Sequence, residues 1–171
     1  LGFAKIDLHR AKRQCFPEVI FCEGKTKEQI NQIIESLTQH DNVILVTRID
    51  ETKAKFVLEH HPYLQYHSVA NIVSTPIEKI KKSQNYISIL CAGTSDLAVA
   101  EEAALTAEVM GIQVKRFYDV GVSGIHRLFN HIHEIRQGKV SVVIAGMEGS
   151  LARVVGGLVD HPIYAVPTSV G

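Results

Sequence analysis

The sequence predicts an α/β protein whose second half is a three-layer structure, a parallel sheet with helices on both faces. Strand-like and helical segments alternate strictly from residue 86 to residue 166, an order that favours a parallel sheet with right-handed crossovers. The first of these strands, Tyr86–Cys91, is apolar without alternation, which is typical of strands buried on both faces. The chain has 171 residues, 46% of them hydrophobic, which suits a small domain followed by a medium one.

Residues 1–84 are predicted to form a small N-terminal βα domain and a linker. Strands are expected at Glu18–Phe21, Asn42–Ile49 and Tyr63–Val73. Thr26 is a candidate N-cap for a helix on which apolar residues recur at helical spacing, namely Ile30, Ile33, Ile34 and Leu37. A second helix is expected at Thr52–His60, before Pro62. The Lys-rich segment 75–84 opens with a proline and is typical of a linker with one helical turn.

Residues 85–171 are predicted to form the second domain, which is expected to be truncated at its C-terminus, since the sequence stops just after the fourth strand. The strands are expected at Tyr86–Cys91, Gln113–Tyr118, Val140–Ala145 and Pro162–Val166. The intervening helices are expected from Leu97 to Met110, from the loop after Asp119 to Gln137, and from the loop Gly146–Ser150 to about Leu158. The chain begins with Leu1 rather than methionine, which is typical of a piece of a longer protein.

Composition argues against several classes of protein. The 18 basic and 18 acidic residues balance, so nothing points to nucleic acid or an anionic membrane as a partner. No apolar run approaches the roughly 20 residues that span a bilayer, and residues 1–13 do not resemble a signal peptide. The cysteines Cys15, Cys22 and Cys91 lack metal-type spacing and indicate free thiols in a reducing, cytoplasmic setting.

The loop after the first strand of the second domain is a candidate nucleotide site. It reads Gly93-Thr94-Ser95-Asp96 and lies between a strand and a helix, where glycine, hydroxyl groups and free N–H groups attract anions. Ligands of parallel sheets bind beyond the carboxyl ends of the strands. Asp96 could bind a hydroxyl, an amine or a metal; alternatively, Ser95 or Asp96 only caps the helix.

Two further loops carry candidate residues at the same edge of the sheet. The loop after the second strand contains Asp119, Gly121, Ser123 and Gly124, either as an anion-binding turn or as an ordinary connection. His126 and Arg127 follow on the first turn of the next helix, and His126 is expected at the surface. The loop after the third strand contains Gly146, Met147 and Glu148. Glu148 could act as a general acid or base in a dry site, or could only complement the dipole of the next helix.

Other tempting residues are better explained as structural. His60 and His61, and likewise His131 and His133, are spaced so that their side chains diverge on a helix, which disfavours metal binding. Cys91 ends a buried strand, where packing is more typical than nucleophilic chemistry. The fourth loop, Pro167-Thr168-Ser169-Val170-Gly171, is small and polar.

Several stretches of the chain, taken in order, resemble the LarB family of pyridinium-3,5-biscarboxylic acid mononucleotide synthases. They are CAGTSDLAVAEEAALTAEVMG, YDVGVSGIHRL, VVIAGMEGSLARVVGGLV and HPIYAVPTSVG, with FAKIDLHRAKRQCFPEVIFCEGKT and VANIV in the first half. The family is distantly related to aminoimidazole ribonucleotide carboxylase (PurE). The resemblance implies a PurE-like domain, similar to flavodoxin-like and Rossmann-like folds, within a homo-oligomer; the related carboxylases are octamers.

The resemblance also implies a reaction. Such enzymes carboxylate nicotinic acid adenine dinucleotide with CO2 or bicarbonate and hydrolyse its phosphoanhydride, which releases AMP and supplies the nickel-pincer nucleotide pathway. The family's nucleophilic cysteine lies beyond the Pro-Thr-Ser-Val-Gly segment, outside these 171 residues. Glu148 is then the acid/base candidate. A divalent cation, Mg²⁺ above all, is expected for the phosphoanhydride cleavage, with Asp96 and Asp119 as acidic candidates. The residues implied to hold the dinucleotide are Gly93, Thr94, Ser95, Asp96, Asp119, Gly121, Ser123, Gly124, Gly146 and Met147.

Two alternatives stay open at this point. A purine-type carboxylase or mutase would share the fold, but Ser150 stands where that enzyme has its catalytic histidine. A non-catalytic nucleotide-binding module would share the loops without the chemistry. A cysteine in the continuation of the chain would favour the enzyme.

Overall fold

The structure is a computed structural model that describes residues 16–39, 43–146 and 149–169. It divides into two compact units, Leu1–Lys81 and Lys82–Gly171. The division falls within the Lys-rich segment 75–84, which contains a single 3₁₀ turn at Ile77–Lys79. Among the described residues, no helix is long and apolar enough to cross a membrane.

In its described residues, 16–39 and 43–81, the first unit contains four short strands and two helices. Its elements are β1 (Val19–Phe21), α1 (Lys27–Thr38), β2 (Leu45–Thr47), α2 (Glu51–His60), β3 (Gln65–His67) and β4 (Ile72–Ser74). The sheet order is β1-β2-β4-β3. The pair β1 and β2 is parallel, whereas β4 runs antiparallel to both of its neighbours. This unit is therefore a mixed sheet.

The single strand expected at Tyr63–Val73 is wrong. The chain reverses there, so that β3 and β4 form an antiparallel pair in which Tyr66 lies opposite Val73. Asn71 makes the reversal possible because it adopts a left-handed conformation with φ of 51°, which asparagine tolerates better than most residues. The alternating pattern of this stretch did not mark the turn.

The helices α1 and α2 both begin with a side-chain cap. Thr26 accepts a hydrogen bond from the Gln29 backbone at 3.2 Å, and the Gln29 side chain accepts one from the Thr26 backbone at 3.0 Å, a complete capping box. Asp50 accepts a hydrogen bond from the Lys53 backbone at 2.9 Å at the start of α2. The apolar face predicted for α1 is confirmed, since its isoleucines and Leu37 are buried.

The second unit is a four-stranded sheet with helices between its strands. Its elements are β5 (Tyr86–Cys91), α3 (Leu97–Val109), β6 (Gln113–Phe117), α4 (Ile125–Gln137), β7 (Ser141–Ala145), α5 (Ser150–Gly156) and β8 (Ile163–Pro167). The order is β6-β5-β7-β8, and every pairing is parallel. The predicted strands are confirmed, with ends that differ by one residue or less.

Helices cover both faces of this sheet. Ile89 and Cys91 of β5 pack with Ala100 and Ala104 of α3 on one face. On the other face, Leu90 of β5 belongs to a core that includes residues of α4 and α5, namely Leu128, Ile135, Leu151 and Val155. The predicted three-layer α/β fold is therefore confirmed.

The strand order reverses at β5. The chain passes from β5 to β6 on one side and then crosses to β7 on the other side. In open parallel sheets, ligands bind at this reversal, in the crevice outside the carboxyl ends of the two diverging strands. The loops that follow β5 and β7 are therefore the place to examine for a site.

Candidate functional site

A cavity of about 240 Å³ lies at the reversal point of the second sheet. Three loops line it, each from the carboxyl end of a strand. The loops contribute, in chain order, Ala92, Gly93, Ser95 and Asp96; Gly121, Val122 and Ser123; and Ala145, Gly146, Ser150 and Leu151. The wall is therefore built from small and hydroxyl-bearing residues around one carboxylate.

Backbone hydrogen bonds join the first two loops. Val120 N–H donates to the Cys91 carbonyl at 3.1 Å, and Gly121 N–H donates to the Ala92 carbonyl at 3.0 Å. A Cβ atom on Gly121 would lie only 2.7 Å from the Ala92 carbonyl oxygen. The close approach of the two loops thus requires glycine at position 121.

Asp96 is the carboxylate of the cavity, and it is only 4% exposed. Its side chain makes no capping bond to α3. Instead, Oδ1 accepts a hydrogen bond of 2.6 Å from the Thr168 hydroxyl, beyond β8. The reading of Asp96 as a simple N-cap is therefore wrong, and the carboxylate is held by a residue that follows the fourth strand.

Asp119 and Arg127 form an ion pair outside the cavity wall. The Arg127 guanidinium donates to Asp119 Oδ2, and Asp119 adopts a left-handed conformation with φ of 56°. A Cβ atom on Gly124 would lie 2.7 Å from Arg127 Nε, so the guanidinium packs over this glycine, next to the cavity-lining Ser123. Arg127 is therefore held in place by an ion pair and by the backbone of the second loop.

The helices that leave the first two loops begin without side-chain caps. Neither α3, which follows Asp96, nor α4, which follows Gly124, receives a capping hydrogen bond from the side chain at its N-cap position. Each helix continues a 3₁₀ turn, Thr94–Asp96 before α3 and Val122–Gly124 before α4, and Leu97 N–H already donates to the Thr94 carbonyl. The N–H groups at the start of such a combined helix, which belong to these turns, attract anions, and the helix dipole adds to that attraction. The hydroxyl groups of Ser95, Ser123 and Ser150 lie in the same wall.

The described cysteines are unsuited to nucleophilic attack. Burial raises the pKa of the Cys91 thiol, and its Sγ–H donates to the Gly93 carbonyl at 2.9 Å. Burial also raises the pKa of Cys22 to about 11. Both therefore stay protonated near neutral pH, whereas nucleophilic cysteines react as thiolates. Cys15 lies outside the described residues.

The structure brings together six of the predicted site residues, because all of them line the cavity: Gly93, Ser95, Asp96, Gly121, Ser123 and Gly146. Thr94, Asp119 and Gly124 belong to the same loops but do not line it. Met147 and Glu148 lie outside the described residues. Within the described part of the chain, no group of three or more His, Cys, Asp or Glu side chains could hold a metal.

Several lining residues were not predicted. The apolar Ala92, Val122, Ala145 and Leu151 carry no chemical signal in the sequence, and Ser150 was considered only as a replacement for histidine. Thr168 was noted only as part of a small, polar loop. Its position, directly after a predicted strand in a parallel sheet, was the signal that could have identified it.

Comparisons with known proteins identify the family of the chain. Residues 1–78 match the LarB/PurE-like N-terminal domain. An uncharacterized protein of Methanocaldococcus jannaschii is 36% identical over 174 residues, an alignment that covers 96% of this chain and 68% of that protein. The chain belongs to the LarB/PurE-like family.

Proposed function

We propose that the protein carboxylates nicotinic acid adenine dinucleotide with CO2 and releases AMP, forming pyridinium-3,5-biscarboxylic acid mononucleotide for nickel-pincer nucleotide synthesis. Membership of the LarB/PurE-like family supports a carboxylase-related role. The observation that carries the proposal is the cavity at the strand-order reversal, where loops after β5, β6 and β7 meet. That is the position at which doubly wound sheets bind nucleotides.

The chemistry of the wall suits a dinucleotide. The phosphates would lie against the uncapped starts of α3 and α4, where N–H groups and serine hydroxyls can donate to their oxygens. Asp96 can only accept when ionised, so it suits the hydroxyl groups of a ribose rather than a phosphate. The ligand would therefore place phosphate and sugar on different parts of the wall.

Arg127 supplies positive charge beside this wall. Its guanidinium packs over Gly124 at the start of α4 and is held from the other side by Asp119. Among the described residues, its buried Nε has no hydrogen-bond partner. A phosphate at the start of α4 would meet a cation already fixed in orientation, which favours binding because less side-chain entropy is lost.

Glu148 is the proposed acid or base of the reaction. Gly146 and Ser150, which flank it in the sequence, both line the cavity. Restoring aromaticity after carboxylation requires removal of a ring proton, and a carboxylate at a dry sheet edge can accept it. The covalent activation of the ring would require a thiolate, and the protonated, buried Cys22 and Cys91 do not supply one.

We include a divalent cation in the proposal only as an ion bound to the pyrophosphate of the substrate. Asp96 already accepts a hydrogen bond from Thr168, and Asp119 is paired with Arg127. These described residues do not fit a metal held by protein ligands alone. Magnesium commonly binds through substrate phosphates and few protein ligands, so the ion would arrive with the substrate.

The test uses the full-length protein. It is mixed with nicotinic acid adenine dinucleotide, bicarbonate and magnesium chloride, and the products are followed by mass spectrometry. We expect AMP and a mononucleotide heavier by one carboxylate, with ¹³C from labelled bicarbonate in the product. Glu148→Gln should lower the rate by at least about a hundredfold, since general acid–base groups contribute about 10²–10⁴-fold.

The matched control is Glu59→Gln, which removes an exposed carboxylate from the first unit and should leave the rate unchanged. An unchanged dinucleotide in the presence of folded protein would contradict the synthase proposal. Binding without turnover would favour a nucleotide-binding module. Conversion of aminoimidazole ribonucleotide in a parallel assay would favour the purine-type enzyme, which Ser150 disfavours. The homo-oligomer stays a prediction that light scattering tests.

A further inference from the structure

The hydrogen bond between Thr168 and Asp96 connects distant parts of the second unit. The two residues are 72 positions apart in the chain, and their side chains meet at 2.6 Å. Thr168 N–H also donates to the Ala145 carbonyl at 3.1 Å, directly after the paired strands β7 and β8. The hydroxyl is therefore fixed by the sheet rather than by a free loop.

The bond determines how Asp96 meets a ligand. Asp96 N–H donates to the Gly93 carbonyl at 3.1 Å, so the backbone of the residue is held within the first loop. The side chain has no capping role that would orient it. With Oδ1 bound to Thr168, the carboxylate keeps one orientation in the cavity wall and retains further acceptor positions for hydroxyl groups.

The group that donates to Asp96 is a neutral hydroxyl, so it does not cancel the charge of the carboxylate. An arginine or lysine in the same place would neutralise the carboxylate, whereas a threonine hydroxyl orients it and leaves its negative charge in the cavity. That charge repels phosphate oxygens and attracts hydroxyl donors. The phosphates are then directed to the uncapped starts of α3 and α4.

We propose that Thr168 is a positioning residue, which orients Asp96 to accept the hydroxyl groups of a ribose and so sets the direction in which a nucleotide lies in the cavity. This inference rests on the proposed nucleotide-binding function. It assigns a role to the loop after β8, which lines no part of the cavity itself within the described residues.

The test compares Thr168→Val, which keeps the shape but removes the hydroxyl, with Thr168→Ser, which retains the hydroxyl. Calorimetry on the full-length proteins gives dissociation constants for AMP and for nicotinic acid mononucleotide, each against its 2′,3′-dideoxy form. We expect the native protein to prefer the ribose form of at least one mononucleotide by about tenfold or more, the usual effect of a hydrogen bond to a charged group.

In Thr168→Val this preference should fall below about threefold, because affinity for the ribose form drops while affinity for the dideoxy form stays the same. Thr168→Ser should restore it. If Thr168 had a merely structural role, Thr168→Val would weaken the binding of the ribose and dideoxy forms equally. That result, or an undiminished preference for the ribose form in Thr168→Val, would overturn the inference.

A ligand-free measurement separates this inference from the proposed function. A double-mutant cycle of Thr168→Val and Asp96→Asn on the free energy of unfolding should show coupling between the two side chains. Absence of coupling overturns the inference alone. Coupling in a native protein that binds neither mononucleotide overturns the proposed function, and the positioning role with it.

Discussion

The two units of the molecule begin their helices in opposite ways. In the first unit, Thr26 and Asp50 place their own oxygens on the first backbone N–H groups of α1 and α2. In the second unit, α3 and α4 receive no such bond from their N-cap residues, Asp96 and Gly124. A cap stabilises the helix, whereas an uncapped start leaves donors for a ligand.

The sheets of the two units also differ in whether they provide a place for a ligand. The first unit has a mixed sheet of three-residue strands. Among its described strands, no reversal of parallel strands creates a crevice. The second unit has strands of five or six residues, all parallel, and a cavity where their order reverses. Under the proposed function, nucleotide binding belongs to the second unit. Each prediction below asks whether a substitution changes the free energy of unfolding, nucleotide affinity, or both.

Among the substitutions that compare the two units, the largest effect is expected from Gly121→Ala. The added methyl would lie 2.7 Å from the Ala92 carbonyl oxygen, so the two loops must separate and lose their hydrogen bond. Overpacking of this kind costs about 1–3 kcal/mol, and we expect nucleotide affinity to fall more than tenfold as well. Chemical denaturation and calorimetry of the same preparation measure both quantities.

Gly93→Ala is the matched comparison within the site. Gly93 has φ of −145°, which any residue adopts, and a Cβ atom there meets nothing within 4 Å. Because Gly93 lines the cavity, the methyl should weaken nucleotide binding while changing the free energy of unfolding by less than about 0.5 kcal/mol. Equal losses of stability in both alanine variants would contradict the conclusion that Gly121 holds the two loops together whereas Gly93 only lines the cavity.

Most of the second unit was predictable from the sequence because buried strands of a parallel sheet are uniformly apolar. Tyr86–Cys91 is uniformly apolar and leads directly into a glycine, so both the strand and the loop were recognised. The first unit was harder to predict. Its strands are three residues long, and the turn at Asn71 interrupts a stretch that otherwise has strand composition. Short strands carry too few residues for alternation to reveal a reversal.

The site was predictable at the level of loops but not of partners. The positions of Asp96 and Asp119 at strand ends marked both as candidates, yet the first is buried in the cavity and the second pairs with Arg127. The partner of Asp96, Thr168, is 72 positions away in the chain, whereas Arg127 is close to Asp119 in sequence but could equally have faced solvent. Spacing along a sequence does not contain that information, because it arises only when the loops are packed together.

The next largest effect is the loss of stability in acid, which we expect to begin at a different pH in each unit. Burial would raise the pKa of Glu108, but hydrogen bonds from Arg116 at 2.9 and 2.7 Å, together with the charges of Arg116 and Lys82, outweigh it and hold the pKa below its ordinary value. Burial lowers the pKa of His61 in the first unit, with Glu35 opposing and His60 reinforcing the shift.

Both pKa values are lowered on folding, so both groups add stability that is complete above their unfolded pKa and is lost as the pH falls. For His61 the loss begins below about 6.5, and for Glu108 below about 4.3. Amide hydrogen exchange across this range should therefore show the first unit weakening before the second. Glu108→Gln should lower the free energy of unfolding by about 1–3 kcal/mol at neutral pH. It should also make the stability of the second unit, but not of the first, less dependent on pH in the acid range. Loss of protection in the reverse order would contradict the assignment.

The smallest effect is expected at the capped helix of the first unit. Thr26→Ala removes the hydroxyl that accepts from Gln29 N–H at 3.2 Å and should cost about 1 kcal/mol of stability. Thr26→Ser retains the hydroxyl and should restore most of that loss. Because this cap belongs to the first unit, nucleotide affinity should stay within twofold of the native value in both variants. A large loss of affinity in Thr26→Ala would show that the two units share the binding function, and the division between a capped, structural unit and an uncapped, binding unit would then have to be abandoned.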